Sequence, residues 1–581
     1  MQANTTDKLR AFLAALQERQ IRIRGDENED PSLVYANAIL RYFDVINQHP
    51  ELIPQIVVIG PTQAGKSTIV NILLGTEAAK SNALAGFTRH AQGFCTNTVS
   101  ATLTNIVDEL LPGLSRVPLD QLSAENLHEY TITEIETRDA IVSPAMFWDT
   151  PDFDSVSSRS YRFGVPKLCA MADLIVLVVS KEKYADQSVW ETLRLINQAP
   201  HPLAICINKA NPDSSVQIAD AMSAKLHQEN IEHGGIIALP YESDPDLQRM
   251  RESESGRALL RLSQRLLPEQ RKLPDSRKVR TFLQTHWLDW TAPVRREIAA
   301  GKVWNNMLGQ EFGRAEKRYQ QNYLRDPHYS DTLQRAIVRL MELLELPGLA
   351  GQIGRVRNAI SWPARTLINK LWQRETPQED GSRKPDFEAD TLNETLNDLL
   401  ITLQRGIGDR SANDDVELRS WWQQLWMQLQ QESDDLHAFI EQCISTHQQA
   451  FEPHIEAAAE DLYHYLQQHP ATLNSLRAAR VTTDVGALVL ALKTGGIGLN
   501  DLVLAPAMLA FTSMLTEGAV GRYMTKVEEE LKAAQLESAR QHIFTPLQHR
   551  LRQLPASLDP ATVYGFDEAT LNAAEQELNK L

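Results

Sequence analysis

The chain is poor in the residues that build disulfide, zinc and nucleic-acid sites. It has only 4 cysteines and no C-x-x-C pair, which excludes a disulfide framework and favours free thiols in a reducing cytosol. Its histidines show no zinc-like spacing. Acidic residues outnumber basic ones by 75 to 58, for a net charge of −17. This balance argues against nucleic acid as the main ligand, because phosphate backbones are bound by clustered Lys and Arg.

Long apolar runs are also missing. No run reaches the roughly 18 residues that a membrane-spanning helix needs. Residues 1–7 are polar and are not followed by the pattern of a secretion signal. Hydrophobic residues make up 43% and charged residues 23%, which is ordinary for a globular protein. The length allows two or more domains, and we expect a cytoplasmic location.

The most specific pattern that is present is G-x-x-x-x-G-K-S at residues 60–67. Residues 55–59 before it predict a buried parallel strand, and residues 68–75 after it predict a helix that ends at a glycine. In this setting the backbone N–H groups of the loop face phosphates. Lys66 then reaches the β- and γ-phosphates, and the Ser67 hydroxyl ligates Mg²⁺. A chance glycine-rich turn is the alternative.

Later apolar segments predict the rest of a nucleotide-binding sheet, at residues 145–148, 172–180, 203–207 and 235–240. Asp149 ends the first of them and is placed to hold Mg²⁺, directly or through water. Asn208-Lys209-Ala210-Asn211 follows the third, at the usual place of a guanine-reading N-K-x-D. Strands that alternate with helices predict a doubly wound, mainly parallel sheet with ligands at the carboxyl ends of its strands.

Together these motifs resemble the translation-factor-related GTPases and, among them, the bacterial dynamin-like proteins. Two features indicate that branch: Thr88-Arg89, similar to the switch-I Thr-Arg of dynamins, and the long helical continuation of the chain. The motif resemblance covers residues 51–245. It implies an α/β P-loop GTPase domain joined to a large all-α stalk or helical bundle, with GTP or GDP and Mg²⁺ as cofactors.

The motifs and the resemblance assign the site residues. The nucleotide is bound by Gly60, Gln63, Ala64, Gly65, Lys66, Ser67, Thr68, Asp149, Asn208, Lys209 and Asn211. Mg²⁺ is held by Ser67, Thr88 and Asp149. Catalysis is assigned to Thr62, Gln63, Lys66 and Thr88. Thr88 completes the Mg²⁺ shell when the γ-phosphate is present.

Several positions depart from the family pattern. Asp152 replaces the glycine of D-x-x-G, so its carboxylate should weaken triphosphate binding unless it turns away. Asn211 replaces an aspartate that accepts two guanine N–H groups, and an amide accepts only one of them well. That loss costs about 1.5–3 kcal/mol and puts guanine preference in question, unless Asp213 substitutes in a rebuilt loop. Thr62 and Gln63 also differ from the Gln-Ser pair of dynamins.

Sequence patterns divide the chain into residues 1–50, 51–250 and 251–581. The first are predicted helices that, as the resemblance to dynamin-like proteins implies, pack with the stalk. The second are the predicted GTPase domain, and the third are a predicted helical neck and stalk. Within the third, Trp421, Trp422, Leu425 and Trp426 form an apolar stripe that predicts core packing. The basic region 257–302 is either a solvated helix face or a hinge between head and stalk.

Two segments are candidates for membrane contact. Residues 485–524 read as a helical hairpin with almost no polar face around a glycine-rich turn. Such a hairpin is either buried in a core or partly inserted in a bilayer, and bacterial dynamin-like proteins carry a comparable hydrophobic paddle. Residues 353–374 mix arginines with apolar side chains and are the rival contact with anionic lipid.

The sequence therefore predicts a dynamin-like GTPase, slow in turnover and peripheral on the inner membrane. It would couple GTP binding and hydrolysis to conformational change and to membrane association or remodelling, as a homodimer or higher oligomer. The alternative is a slow or non-hydrolysing nucleotide-sensing switch that binds a protein partner, which Asp152 and Asn211 favour. A structural helical scaffold with a degenerate nucleotide domain is a third class, and the intact Lys66 and Ser67 argue against it.

Overall fold

The computed structural model describes residues 7–25, 29–79, 89–123, 125–153, 164–199, 201–211, 215–242, 246–268, 275–325, 331–344, 387–414, 416–474 and 518–581. They form two compact units. One is Met1–Ile298 with Asp559–Leu581, and the other is Ala299–Leu558. Thr88, Asp213 and the 353–374 segment lie outside the described residues, as does the 485–524 segment up to residue 517.

The elements follow one another in a regular order, in which helices separate most of the strands. They are α1 (Asp7–Arg24), α2 (Pro31–Gln48), β1 (Gln55–Ile59), α3 (Lys66–Leu74), β2 (Ala91–Cys95), α4 (Ala101–Leu110), β3 (Ser115–Arg116), β4 (Glu129–Glu134), β5 (Met146–Asp149), α5 (Gly164–Ala170), β6 (Leu174–Ser180), α6 (Gln187–Ile196), β7 (Leu203–Ala210), α7 (Ser215–Gln228), β8 (Gly235–Pro240), α8 (Leu247–Glu252), α9 (Glu254–Leu266), α10 (Ser276–Tyr319), α11 (Asp331–Leu344), α12 (Phe387–Asn413), α13 (Val416–Gln431), α14 (Ser433–Gln467), α15 (Gly518–Ala539), α16 (Thr545–Gln553) and α17 (Glu568–Lys580). Short π-helical turns at Gln320–Leu324 and Arg540–Phe544 follow α10 and α15.

The first unit is built on one 8-stranded sheet in the order β3-β4-β2-β5-β1-β6-β7-β8. Neighbouring strands are parallel except β2 and β5. The predicted α/β class with a mainly parallel sheet is confirmed. The prediction missed β2, β3 and β4, which extend the sheet beyond β5. In the register, Val58 of β1 lies beside Asp149 of β5, which brings that carboxylate to the end of the central strand.

Helices cover both faces of this sheet. Val57 and Ile59 of β1 belong to a core cluster that includes α2, α5 and α6, whereas Ile56 and Val58 belong to a second cluster that includes α3 and α9. The split follows from strand geometry, since successive side chains point to opposite faces. A strand buried on both faces must be apolar throughout, and this explains why the central strands were readable from the sequence.

The N-terminal helix lies in the same unit as the sheet and contacts the C-terminal part of the chain. The backbone N–H of Leu9 donates to Glu577 of α17 at 2.8 Å. The Phe12 ring lies 5.5 Å from the ring of Trp287 in α10 and 4.8 Å from that of Phe566. The domain limits at residues 50 and 250 stay predictions.

The second unit is helical throughout its described residues. This agrees with the prediction of a large all-α stalk or helical bundle. Its apolar core is shared by α11, α14 and α15. Among the helices that the structure describes, none is both long and apolar enough to cross a bilayer. Trp421, Trp422 and Leu425 of α13 are buried as expected, but Trp426 is 42% exposed and does not continue the stripe.

A buried polar cluster lies inside this helical unit. The Glu388 carboxylate oxygen Oε1 accepts from the Tyr319 hydroxyl at 2.7 Å and from Gln535 Nε2 at 2.7 Å, and it lies 3.0 Å from His447 Nε2. Burial raises the pKa of Glu388, but hydrogen bonding and attraction to His447 outweigh burial and hold that pKa below the usual range. One carboxylate therefore satisfies several buried groups at once.

Removal of this carboxylate should destabilise the helical unit. Glu388→Ala leaves buried donors without an acceptor, so we expect the free energy of unfolding to fall by about 3–5 kcal/mol. Because the folded pKa is depressed, the contribution of Glu388 is present above its ordinary pKa and is lost as the pH falls through the folded value. Urea denaturation at neutral and acidic pH measures both effects.

The control is Asp398→Ala, which removes a half-exposed carboxylate paired with Arg318 on the same unit. It should change the unfolding free energy by less than about 1 kcal/mol. Glu388→Gln, which keeps an acceptor, should lie between the two. Equal stability of the Glu388→Ala and Asp398→Ala proteins would contradict the structural role assigned to the cluster.

Candidate functional site

The G-x-x-x-x-G-K-S loop joins the carboxyl end of β1 to the start of α3, in the middle of the sheet. From β1 the strand order runs in one direction through β5 and in the other through β6. Crevices at such reversal points, outside the carboxyl ends of the strands, are where doubly wound sheets bind ligands. The loop predicted from the sequence is thus at the position that the fold favours for a ligand.

Two loop positions require glycine. A Cβ atom at Gly60 would lie 2.2 Å from the carbonyl oxygen of Val178 in β6. Gly65 has φ +91°, and a Cβ there would lie 2.2 Å from the Asn208 side-chain nitrogen. Side chains larger than hydrogen would therefore displace the neighbouring strand or the Asn208 amide. The lack of a side chain at these two positions lets the loop backbone pack closely against its neighbours and form a cradle whose N–H groups suit phosphate binding.

Lys66 is a buried cation at the base of this cradle. Its side chain is 5% exposed. The ammonium donates to the Pro61 carbonyl at 3.3 Å and forms an ion pair with the Asp152 carboxylate, which is equally buried. Sequence reasoning placed Asp152 near a γ-phosphate but did not foresee that it contacts Lys66 itself.

Ser67 and Asp149 form the second polar pair of the site. The Ser67 hydroxyl donates to Asp149 Oδ2 at 2.6 Å. The other oxygen, Oδ1, is buried and has no hydrogen-bond partner among the residues that the structure describes. Burial raises the pKa of Asp149 to about 6, against the opposing effects of Lys66 and Ser67. A hydroxyl beside a carboxylate with an unsatisfied oxygen suits Mg²⁺, which binds oxygen ligands.

The N-K-x-N segment is tied directly to the phosphate loop. Asn208 Nδ2 donates to the Ala64 carbonyl at 2.9 Å, and Lys209 Nζ donates to the Gln63 carbonyl at 2.8 Å. Lys209 and Gln63 both have positive φ, at 56° and 60°. Asn211 lies exposed just beyond β7. Sequence reasoning assigned this segment to the base and missed its bonds to the loop, which motif spacing does not reveal.

The segment after β5 is anchored to the central strand. The buried Thr150 hydroxyl donates to the Val58 carbonyl of β1 at 2.8 Å. This bond fixes the chain between Asp149 and Asp152, so both carboxylates are held next to the loop. The structure therefore brings together Lys66, Ser67, Asp149 and Asp152.

Comparison with known proteins decides the class of this domain. Residues 55–209 match the model of a family described as 50S ribosome-binding GTPase. The chain carries a GTPase domain. The match runs from β1 into β7 and includes the 60–67 loop, and it confirms the GTPase part of the resemblance inferred from the motifs. A guanine nucleotide with Mg²⁺ is the ligand that this family implies.

Two solved structures also match this chain, at low sequence identity and low structural similarity. One is described as an oligomerised bacterial dynamin pair that provides a mechanism for long-range sensing and tethering of membranes. It is 10% identical, covers 91% of this chain and 89% of its own, and has a TM-score of 0.30. A second structure with the same description is 9% identical, covers 97% and 94%, and has a TM-score of 0.26. No curated protein sequence matches the chain.

The raised pKa of Asp149 predicts that its charge destabilises the nucleotide-free GTPase domain. The cost of ionisation is present above about pH 6 and is relieved as the pH falls toward the ordinary value of 3.8. Asp149→Asn should therefore raise the stability at pH 7.5, by up to about 2–3 kcal/mol, and the gain should shrink at pH 5.5. Thermal denaturation in EDTA at the two pH values measures it.

Asp186→Asn serves as the control, because Asp186 is a partly exposed carboxylate paired with Lys183 on the same unit. It should leave the melting temperature almost unchanged at both pH values. A fall in the stability of Asp149→Asn at pH 7.5 would show instead that the bond between Ser67 and the carboxylate outweighs the cost of burial.

Proposed function

We propose that the protein is a dynamin-like GTPase that binds guanine nucleotide and Mg²⁺ at the 60–67 loop and couples the nucleotide state to conformational change at a membrane. The observation that carries the proposal is the buried Lys66 ammonium beside the Ser67–Asp149 pair, within the GTPase-family match. A cation and an unsatisfied carboxylate oxygen are the groups that a nucleotide phosphate and its metal ion need.

The phosphates are assigned to the loop backbone and to Lys66. The contributing positions are Gly60, Gln63, Ala64, Gly65, Ser67 and Thr68. Ser67 and Asp149 would hold Mg²⁺, with Thr88 as a third ligand from switch I. Bound Mg²⁺ would neutralise charge on the phosphates. The base is assigned to Asn208, Lys209 and Asn211, and the amide at Asn211 predicts modest selectivity for guanine.

Hydrolysis would depend on positioning and charge stabilisation rather than on covalent chemistry. Gln63 is exposed at the loop, and we assign it the role of orienting water. Thr62 and Gln63 do not reproduce the Gln-Ser pair of dynamins, so we propose slow turnover. Dimerisation across the nucleotide face would supply part of the missing stabilisation.

A second candidate function is a nucleotide-sensing switch that turns over slowly or never and holds a protein partner. The ion pair between Asp152 and Lys66 favours it, because a phosphate must compete with Asp152 for the Lys66 ammonium. Liposome co-sedimentation with and without nucleotide separates the two candidates, because only the dynamin-like GTPase is proposed to act at a membrane.

Membrane association is proposed from the sequence of residues 485–524. The sequence predicts two apolar arms around a turn at 493–498, and each arm is too short to span a bilayer. Burial of two or three large side chains in lipid contributes about 1.5–3 kcal/mol each, enough for reversible binding that assembly of many copies strengthens. The proposal places the protein peripherally on the inner membrane, with residues 353–374 as the alternative contact.

The central test is Lys66→Ala, which should weaken the binding of fluorescent GDP and GTP by at least about 100-fold, since it removes charge-assisted bonds to phosphate. Ser67→Ala keeps the ion pair of Lys66 and should lose the Mg²⁺ dependence of binding. Fluorescence titration measures both.

Lys225→Ala is the control, because its ammonium lies 4.1 Å from the centre of the Trp190 ring, in the same unit but not in the loop. It should bind nucleotide normally. Unchanged affinity in a folded Lys66→Ala protein would remove the proposed nucleotide site.

The membrane proposal is tested by Ile497→Asp combined with Leu499→Asp. Charges at the hairpin turn should abolish co-sedimentation with anionic liposomes, while GDP binding and the melting temperature hold. Ile401→Asp, at a 44% exposed position of α12, is the control and should still bind. If the double variant unfolds, the hairpin is part of a core and residues 353–374 become the next candidate.

A further inference from the structure

The charge balance of the phosphate site is set by an internal carboxylate. Asp152 is 4% exposed and Lys66 is 5% exposed, so their ion pair is removed from solvent. Asp149 lies beside them and its own charge is repelled by that of Asp152. Among the described residues, the buried part of the site thus holds two carboxylates, of Asp149 and Asp152, and the ammonium of Lys66, whereas a phosphate site ordinarily presents net positive charge.

A buried charge without a partner is strongly unfavourable, so Asp152 and an incoming phosphate compete for the same ammonium. A nucleoside diphosphate places one phosphate on Lys66. A nucleoside triphosphate would add its γ-phosphate, which the lysine of such a loop also reaches, and thus a further negative group at the ammonium that Asp152 contacts. Two negative groups at close range in a poorly solvated site repel each other by several times more than they do in water.

We infer that Asp152 is a specificity-determining residue that makes the site prefer a nucleoside diphosphate to the triphosphate of the same nucleoside. Triphosphate loading then requires the Lys66–Asp152 ion pair to break. The inference rests on the proposed function, because it names which state of the guanine nucleotide the GTPase domain holds by default.

In the alternative explanation, Asp152 does not discriminate between nucleotides. It pairs with Lys66 only when no nucleotide is bound, and it moves into solvent at little cost when any nucleotide binds. In that case the carboxylate affects both nucleotides equally. The ratio of the two affinities, rather than either affinity alone, therefore distinguishes the two explanations.

The test compares GDP with a β,γ-imido analogue of GTP by calorimetric titration of the full chain, in Mg²⁺ at pH 7.5. The wild-type protein should bind GDP at least about 10-fold more tightly, a difference of about 1.4 kcal/mol. Asp152→Asn keeps the size of the side chain and removes its charge, so the affinity ratio should shift by at least about 10-fold toward the triphosphate. Asp152→Gly should shift it in the same direction.

Asp173→Asn is the matched control. Asp173 is a buried carboxylate just before β6 of the same sheet, but it accepts from the Gln55 N–H at the start of β1, at the opposite end of that strand from the loop. Its removal should leave the ratio unchanged. A shift of the same size in Asp173→Asn would overturn the assignment to Asp152.

The outcomes separate this inference from the proposed function. A wild-type protein that binds the GTP analogue as tightly as GDP overturns the inference alone, and this measurement requires no variant. Both nucleotides bound with the same ratio in the wild-type and Asp152→Asn proteins also overturn the inference alone. If neither protein binds either nucleotide, the proposed function fails and the inference fails with it.

Discussion

The organisation of the candidate site depends on the burial of the Lys66 ammonium at the start of α3, beyond the end of the central strand β1. A buried cation must be paired, and Asp152 is the partner of Lys66. Asp152 is held there because the Thr150 hydroxyl, two residues earlier, donates to the Val58 carbonyl of β1. The parallel register between β1 and β5 places Asp149 beside the Ser67 hydroxyl in the same way. The pairing of β5 with β1 therefore determines where the two carboxylates lie. A shift of β5 along β1 would move both Asp149 and Asp152 away from the loop.

The parts of the fold that could be predicted from sequence are those with a strong local signal. The central strands are buried on both faces and so read as continuous apolar runs. Pro31 marks the start of α2, where Asp30 accepts from the Ser32 N–H as a cap. In contrast, β2 and β4 contain glycine, threonine and glutamate, and β3 has two exposed residues. These strands owe their existence to pairing with their neighbours, which a single sequence does not show.

The candidate site also has parts that the sequence predicts and parts that it does not. The loop residues and Asp149 follow from motif spacing, because phosphate and Mg²⁺ chemistry fix the residue types. The contact between Lys66 and Asp152, and the bonds of Asn208 and Lys209 to the loop, join residues far apart in the chain. Trp426 shows that sequence alone is equally limited for the helical unit. Helical periodicity predicted which face of α13 is buried, but it did not predict where the buried face ends. That boundary, where Trp422 is buried and Trp426 is 42% exposed, depends on the helices that pack against α13.

The bonds from Asn208 and Lys209 to the phosphate loop have a consequence for how ligand recognition is divided. The segment assigned to the base donates to the carbonyls of Ala64 and Gln63, so the proposed base and phosphate subsites are joined directly. With that assignment, free energies measured for nucleoside and pyrophosphate fragments should not add up to that of the whole nucleotide. A substitution at Asn208 should then alter the 60–67 loop as well as the choice of base, so its phenotype would report on both together.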